Sequence, residues 1–235
     1  QSNFMSTIAE NIENVQNRIK KEAEKVGRDA KDIKLVAVTK TVDVIRIREA
    51  IEAGLRVFGE NRVQEAQKKV TSFELRVPSG KIEWHFIGHL QTNKAKYAVQ
   101  LFDMIHSIDS TALAEELNKQ AAKINKIQDA LIEVKLSEEE TKHGVPKNEL
   151  MELIESTKDM KNLNILGLMT IPPFFDDAEK TRLYFKRLRE IRDEAEKRGF
   201  KLPELSMGMS HDFEIAIEEG ATMVRIGTAI FGERK

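Results

Sequence analysis

A lysine that directly follows a continuous apolar run is the residue of this sequence best suited to covalent chemistry. Residues 35–38 are all apolar, and Thr39 and Lys40 come next. Such a run predicts a strand buried on both faces of a parallel sheet, with Lys40 at the carboxyl end, where α/β folds place their reactive groups. A lysine with a desolvated stem can attack a carbonyl as the neutral amine. Taken alone, a lysine that only extends from the strand end into water is the more frequent outcome.

Two features near the C-terminus predict an anion site. Ser210 precedes a helical pattern, so we expect its hydroxyl and the adjacent amides to face outward at the positive end of the helix dipole. Gly227 and Thr228 follow the last predicted strand, where glycine allows close backbone approach and threonine offers a hydroxyl. The loops after strands seven and eight of (β/α)8 barrels frequently bind phosphate. The alternative is that Ser210 only caps its helix and that Gly227 only forms a turn.

Arg225 lies inside the last apolar strand, two residues before this predicted phosphate loop. An arginine in a barrel interior is costly unless it meets an acceptor, and either a heteroaromatic nitrogen or a strand carboxylate such as Glu204 would serve. Lys40, Arg225 and a phosphate site together match pyridoxal 5′-phosphate (PLP), which offers an aldehyde, a pyridine nitrogen and a phosphate. Asn61, at the end of the second predicted strand, is expected to hydrogen-bond the ring hydroxyl or a neighbouring polar atom.

These residues need a scaffold that brings strand ends together, and the hydropathy pattern predicts one. After an N-terminal helical stripe that ends at Gly27, apolar strands alternate with amphipathic helices eight times. This order, at this length, predicts a single (β/α)8 TIM barrel with an extra N-terminal helix. A doubly wound open sheet is the alternative, because strand pairing is not visible in the sequence. The predicted strands are residues 35–38, 56–59, 82–87, 104–108, 130–134, 163–168, 204–207 and 222–226.

The composition excludes several classes of protein. The 235 residues carry a formal net charge of -1 with both signs mixed, so no nucleic-acid-binding footprint is predicted. The absence of cysteine excludes disulfides, thiolate metal sites and cysteine catalysis. No apolar run approaches the roughly 20 residues that a membrane span needs. We expect a cytoplasmic monomer whose residues 5–235 form one domain, with residues 1–4 as a remnant of expression.

Six ordered motifs resemble those of the pyridoxal phosphate homeostasis proteins, and together they span nearly the whole chain. Two positions depart from the family pattern: Arg62 stands where an aromatic residue is common, and His211 where an acidic residue is common. The motifs are Val-Ala-Val-Thr-Lys (36–40), Phe-Gly-Glu-Asn (58–61), His-Phe-Ile-Gly-His-Leu-Gln (85–91), Gly-Leu-Met-Thr-Ile-Pro-Pro (167–173), Leu-Ser-Met-Gly-Met-Ser (205–210) and Val-Arg-Ile-Gly-Thr-Ala-Ile-Phe-Gly (224–232).

The resemblance implies a fold, a cofactor and a role. The implied fold is a single barrel of the alanine-racemase N-terminal type, the fold type III class of PLP proteins. PLP is expected as a Schiff base on Lys40, with Ser210, Gly227 and Thr228 holding the phosphate and Arg225 facing the ring nitrogen. The implied role is PLP (vitamin B6) homeostasis without established turnover, with PLP-dependent apoenzymes as candidate recipients of the cofactor.

Two function classes remain: a racemase-like enzyme, or a protein that holds and delivers PLP. An arginine facing the ring nitrogen disfavours its protonation and weakens the ring as an electron sink. The resembled racemases use the same arrangement, but they take a second acid/base from an additional C-terminal β-domain. This chain ends three residues after Gly232 and is expected to lack that domain. We therefore favour the PLP-holding protein and predict no catalytic residues.

Few side chains are candidates for the missing acid/base. Tyr97 and Tyr184 are the two phenols, and Tyr184 lies on a helix stripe that predicts packing. His89, at the end of the third predicted strand, is a candidate for proton transfer, although we favour a polar neighbour of the cofactor. The charged residues 137–146 predict an exposed loop that serves as a lid or a docking surface. A third hypothesis is a sugar-phosphate isomerase in which Lys40 forms an imine with the substrate.

Overall fold

Parallel strands form the centre of the protein in the computed structural model, which describes residues 6–72, 75, 80–139 and 141–233. The predicted expression remnant, residues 1–4, lies outside these residues. The strands are β1 (Lys34–Val38), β2 (Val57–Glu60), β3 (Glu83–Phe86), β4 (Met104–Ile108), β5 (Gln128–Lys135), β6 (Val145–Pro146), β7 (Leu163–Met169), β8 (Glu204–Ser206) and β9 (Met223–Ile226).

The strands close into a barrel because the first strand pairs with the last. β1 is hydrogen-bonded to β2 on one side and to β9 on the other. In the described part of the chain, the order around the ring is β1, β2, β3, β4, β5, β7, β8 and β9, and every pair is parallel. The predicted (β/α)8 barrel is confirmed, and the open sheet is wrong. The short β6 pairs with the end of β5 outside this ring, so the predicted loop 137–146 ends in a strand.

Helices surround the ring, and one extra helix precedes it as predicted. Thr7 caps α1 with a capping box. The Thr7 hydroxyl accepts from the Glu10 amide, and the Glu10 carboxylate accepts from the Thr7 amide. Gly27, with φ +70°, follows Val26, the C-terminal cap of α1, and ends the helix as predicted. The helices are α1 (Ile8–Lys25), α2 (Val44–Glu52), α3 (Val63–Val70), α4 (Ala95–Leu101), α5 (Thr111–Lys123), α6 (Leu150–Ser156), α7 (Arg182–Lys197), α8 (Phe213–Glu218) and α9 (Thr228–Phe231).

Two separate apolar clusters explain why this sequence folds as a barrel. The larger cluster lies between the ring and the helices and includes the apolar stripes of α1, α5 and α7. The smaller one consists of Met104, Leu131, Met169 and Met223 and fills the barrel interior. Polar residues stand two positions further along the same strands, for example Arg225 after Met223. Because side chains alternate along a strand, these polar groups also face the interior, nearer the carboxyl ends.

Several element boundaries differ from the sequence-based prediction. The sequence pattern predicts a helix from about Asn148 to Met160, but α6 ends at Ser156. It also predicts a long helix that Asp176 or Asp177 opens; in the structure Asp177 caps a 3₁₀ turn, and α7 follows from Arg182. Phe185, rather than Tyr184, is the buried aromatic residue of α7. None of the helices in the described residues has the length and apolar character that crossing a bilayer requires.

Candidate functional site

The carboxyl ends of β8 and β9 enclose a cavity of about 290 Å³. Three of the predicted site residues line it together: Ser210, Gly227 and Thr228. Val38, the last residue of β1, also lines the cavity. The remaining lining residues are Lys142, Ile171, Pro172, Pro173, Phe174, Phe175, Thr181, Gly208, Met209, His211 and Asp212. A wider groove of about 870 Å³ lies between residues 136–139 and α7. It contains none of the predicted site residues, so we assign the site to the smaller cavity.

Ser210 joins the two loops that line this cavity. Its hydroxyl oxygen accepts hydrogen bonds from the amides of Gly227 and Ala229, each at 3.2 Å. The prediction that Ser210 caps the following helix is wrong, because α8 begins only at Phe213 and Asp212 occupies the cap position. The hydroxyl instead accepts hydrogen bonds from amides at the start of α9. Because both amides donate to its oxygen, the Ser210 hydroxyl keeps its own proton to donate to an anionic oxygen beside it.

Arg225 lies in the barrel interior and is only 1% exposed. It donates to the Ser206 hydroxyl at 2.7 Å and to the Thr170 carbonyl at 3.0 Å. The alternative of an ion pair with Glu204 is wrong, because that carboxylate accepts from Thr222 instead. Burial lowers the pKa of Arg225 to about 10. The guanidinium is thus fixed by two neutral oxygens, two residues before Gly227.

A buried chain of hydrogen bonds continues from Arg225 across the barrel, and sequence reasoning missed it. The Ser206 hydroxyl lies 2.8 Å from Nδ1 of His106, and Nε2 of His106 lies 2.9 Å from Nδ1 of His85. Both imidazoles are fully buried. Burial, helped by His85 and Arg225, lowers the pKa of His106 well below its ordinary value. His106 is therefore neutral, and this series of hydrogen bonds holds Arg225 through Ser206.

Lys40 follows β1 and is partly buried. Continuing the alternation of β1 from Val36 and Val38 places Lys40 on the interior face. It makes no hydrogen bond or ion pair with any residue that the structure describes, and it is not among the residues that line the cavity. Its next neighbour, Thr41, has φ 63°, the left-handed conformation that non-glycine residues seldom adopt. Such a turn persists only when surrounding contacts hold it.

A buried ion pair supplies those contacts on both sides of Lys40. Nζ of Lys69 lies 2.6 Å from the Glu60 carboxylate, 2.7 Å from the Glu65 carboxylate and 2.6 Å from the Thr39 carbonyl oxygen. The Thr39 hydroxyl donates to Glu60 at 2.7 Å, and the Thr41 amide donates to Glu65 at 2.7 Å. Lys69 is 6% exposed and Glu60 is fully buried. The pair thus holds the residues before and after Lys40.

Asn61 follows β2, as predicted, and its side chain has unused hydrogen-bonding capacity. Its amide oxygen is buried and accepts from no group in the described residues. The backbone of Asn61 packs so closely on Gly88 that a Cβ there would lie 2.4 Å from the Asn61 carbonyl oxygen. A buried acceptor without a donor is costly, so this side chain is suited to a polar ligand.

Glu133 is a further residue of the barrel interior that sequence reasoning missed. It is the sixth residue of β5 and pairs in register with Met169. Burial raises the pKa of Glu133 to about 7, although the charge of Arg225 opposes this shift. Burial likewise raises the pKa of Asp212, whose carboxylate accepts from the Met209 amide at the cavity wall. The signal in the sequence was a lone carboxylate within an apolar run.

The candidate acid/base residues have other neighbours. His89 lies near Asp109 and stacks on His143, with ring centroids 4.0 Å apart. Tyr97 is 43% exposed on α4. Tyr184 packs on the Phe175 ring at 5.9 Å, as the prediction of packing implied. None of these candidates is among the described residues that line the cavity.

Comparisons with known proteins agree on the class of this barrel. The family model for the alanine racemase N-terminal domain matches residues 6–235. A pyridoxal phosphate homeostasis protein of Aquifex aeolicus is 52% identical over 227 residues, 96% of this chain and 98% of the relative. One from Escherichia coli K12 is 40% identical and covers 98% of both chains. The chain therefore belongs to the pyridoxal phosphate homeostasis protein family, within the alanine racemase N-terminal domain class.

Solved structures support the same assignment. PipY of Synechococcus elongatus PCC7942, determined with PLP bound, has a TM-score of 0.85 and 36% sequence identity, covering 96% of this chain and 100% of PipY. An alanine racemase of Clostridium difficile 630 has a TM-score of 0.72 at 17% identity and shows a shared fold alone. The match covers 95% of this chain and 60% of the racemase chain.

Replacing Lys69 by methionine is expected to destabilise the protein by about 3–5 kcal/mol, because it leaves the buried Glu60 carboxylate without its cation. Urea unfolding of Lys69→Met and of the parent measures the difference. Lys68→Met is the matched control, since Lys68 is exposed one residue earlier on α3, and it should change the stability by less than about 0.5 kcal/mol. An equal effect of both substitutions would contradict the role of the ion pair.

Glu133→Gln is expected to change how stability depends on pH. The pKa of Glu133 is about 7 in the folded protein against an ordinary value of 4.5. Between these values the unfolded chain has lost the proton that the folded chain keeps, so rising pH weakens the parent. The parent should lose up to about 3 kcal/mol relative to Glu133→Gln between pH 4.5 and pH 8. Urea unfolding at several pH values tests this, and parallel curves would disprove it.

Proposed function

We propose that this chain binds PLP covalently through Nζ of Lys40 and acts in PLP homeostasis by holding the cofactor. The observation that carries the proposal is the anion position at the Ser210 hydroxyl, where the amides of Gly227 and Ala229 converge. This position lies beside β1, because β1 pairs directly with β9. An amine at the end of one strand and an anion position at the end of its neighbour suit a small molecule with an aldehyde and a phosphate.

The other predicted contacts fit the chemistry of PLP. Arg225 is an N–H donor that precedes the anion loop by two residues and suits an unprotonated pyridine nitrogen. The free amide oxygen of Asn61 suits a donor such as a ring hydroxyl. Thr228 is exposed next to Gly227, so its hydroxyl is available to a phosphate oxygen. When bound, PLP supplies a carbonyl carbon for amines and a ring that withdraws electrons.

The relatives favour holding the cofactor over turnover. The homologues from Aquifex aeolicus and Escherichia coli carry the name of homeostasis proteins, and PipY was solved with PLP bound. In this chain, the histidine and the aspartate that line the cavity are both engaged with backbone groups. His211 pairs with the Phe175 carbonyl oxygen at 3.0 Å, and Asp212 accepts from the Met209 amide at 2.7 Å. Delivery of PLP to apoenzymes that need it is part of this proposal.

Borohydride reduction of the PLP-loaded protein, followed by peptide mass analysis, is expected to show a single adduct on Lys40. Lys142 provides the competing amine, because it lines the cavity. Lys40→Ala should lose the adduct and the visible absorption band, whereas Lys142→Ala should keep both. An adduct on Lys142, or none on either lysine, would refute the covalent site. A colourless protein would instead favour the sugar-phosphate isomerase hypothesis.

Assays of racemisation and decarboxylation across the common amino acids are expected to show no turnover at ordinary enzymatic rates of about 1 s⁻¹ or more. The physical reason is that racemisation needs a proton acceptor and a proton donor on opposite faces of the substrate. None of the candidates for the second group, His89, Tyr97 and Tyr184, is among the described residues that line the cavity. Lys40→Ala is the control, since it removes activity that depends on the covalent site. Turnover that disappears with Lys40→Ala would establish the racemase-like alternative.

A further inference from the structure

Three potential metal ligands from three different segments meet at the carboxyl end of the barrel. His89 follows β3, Asp109 follows β4, and His143 lies between β5 and β6. One nitrogen of each imidazole and one oxygen of the carboxylate all lie within 4.8 Å of one another. Nδ1 of His89 is 3.5 Å from Oδ2 of Asp109. The two imidazole rings stack almost in parallel, with an angle of 12° between their planes.

The distances suit a small divalent ion. Around zinc, with ligand bonds of about 2.1 Å, two ligands of a tetrahedron are roughly 3.4 Å apart. The His89–Asp109 separation of 3.5 Å already matches this value. His143 lies at an exposed position, so its ring can close the remaining distance by rotation of its side chain.

The donor set indicates which ions would bind. Two imidazoles with one carboxylate suit zinc and its neighbours such as nickel and cobalt, rather than magnesium or calcium, which prefer all-oxygen ligands. Three protein ligands leave at least one coordination position open. In the described residues, the cluster contains no thiolate, so a soft ion such as Cu(I) has no special advantage.

The carboxylate also lacks another cation. Asp109 directly follows β4 and is partly buried. Within the residues that the structure describes, no lysine or arginine lies within 4.0 Å of this carboxylate. A bound cation would therefore compensate a desolvated charge for which the protein itself provides only imidazoles.

We propose that His89, Asp109 and His143 form a binding site for one divalent transition-metal ion of the zinc type. The ion would connect the loop of residues 137–146 to the ends of β3 and β4. Lys142, the neighbour of His143, lines the cavity, so metal binding would fix the position of a cavity wall. The position of His143 and its neighbours would then depend on the bound metal ion. The metal site does not depend on whether PLP binds Lys40.

Metal titration of the full chain tests the site directly. After removal of metals by a chelator, cobalt(II) should bind with one equivalent per chain and give the visible absorption of a low-coordinate nitrogen–oxygen site. Zinc should displace it in calorimetry and in the absorption spectrum. His89→Asn, Asp109→Asn and His143→Asn should each weaken binding at least tenfold. His211→Asn is the matched control, because His211 is exposed on the same end of the barrel but lies outside the cluster, and it should bind normally.

Two outcomes would overturn the proposal. One is the absence of saturable binding of cobalt and zinc at one equivalent per chain. The other is binding that the three cluster variants leave unchanged. Limited trypsin digestion tests the effect on the loop: zinc should slow cleavage after Lys142 in the parent and in His211→Asn, but not in His143→Asn. Equal cleavage with and without bound zinc would reject the connection to the loop. Because the titration is run with and without PLP, its failure is distinguishable from failure of PLP binding.

Discussion

The buried ion pair between Lys69 and Glu60 is the contact on which the proposed site depends. Burying two charges costs free energy, and here Thr39 and Glu65 add hydrogen bonds that offset part of this cost. Oε1 of Glu60 carries the bonds to Lys69 and Thr39, whereas Oε2 is buried without a partner in the described residues. The network contacts the residues on both sides of Lys40 but leaves its amine free. A reactive lysine needs this combination, because a direct ion pair would keep its amine protonated and occupied, whereas an unsupported strand end would leave it mobile.

In the barrel interior a buried cation is again held in place, but by neutral oxygens instead of a carboxylate. Arg225 is held by neutral oxygens of Ser206 and Thr170, and His106 behind Ser206 is kept neutral by burial. In the described residues, no carboxylate lies within ion-pair distance of the guanidinium. Glu133 acts on it only at longer range, and burial raises the pKa of that carboxyl to about 7. The positive charge of Arg225 is therefore only partly compensated near neutral pH, which favours an anionic ligand over a cationic one.

The sequence predicted the elements well and the polar contacts less well, for a physical reason. Apolar runs are local signals, so β1 and the eightfold alternation of strands and helices were correctly predicted. Lys69 was missed because a lysine four residues after a glutamate on a helix is normally a solvated pair. Its second partner, Glu60, lies on a neighbouring strand and is visible only after folding. Ser210 was assigned to the wrong partner, because its hydroxyl bonds to a loop 17 residues later rather than to its own helix.

The polar contacts that form only on folding also bear on whether the protein holds a cofactor or uses it in catalysis. The elements that converge on the cavity supply an anion position and a fixed lysine, and both functions need these. A racemase also needs a second proton-transfer group beside the substrate. In the described residues, the candidates are directed elsewhere: His89 towards Asp109 and His143, and Tyr184 onto Phe175. In the described part of the chain, neither His89 nor Tyr184 lines the cavity, and recruiting either group for catalysis would first cost the free energy of breaking these contacts. This arrangement supports the proposal that the chain retains a bound molecule rather than converting it.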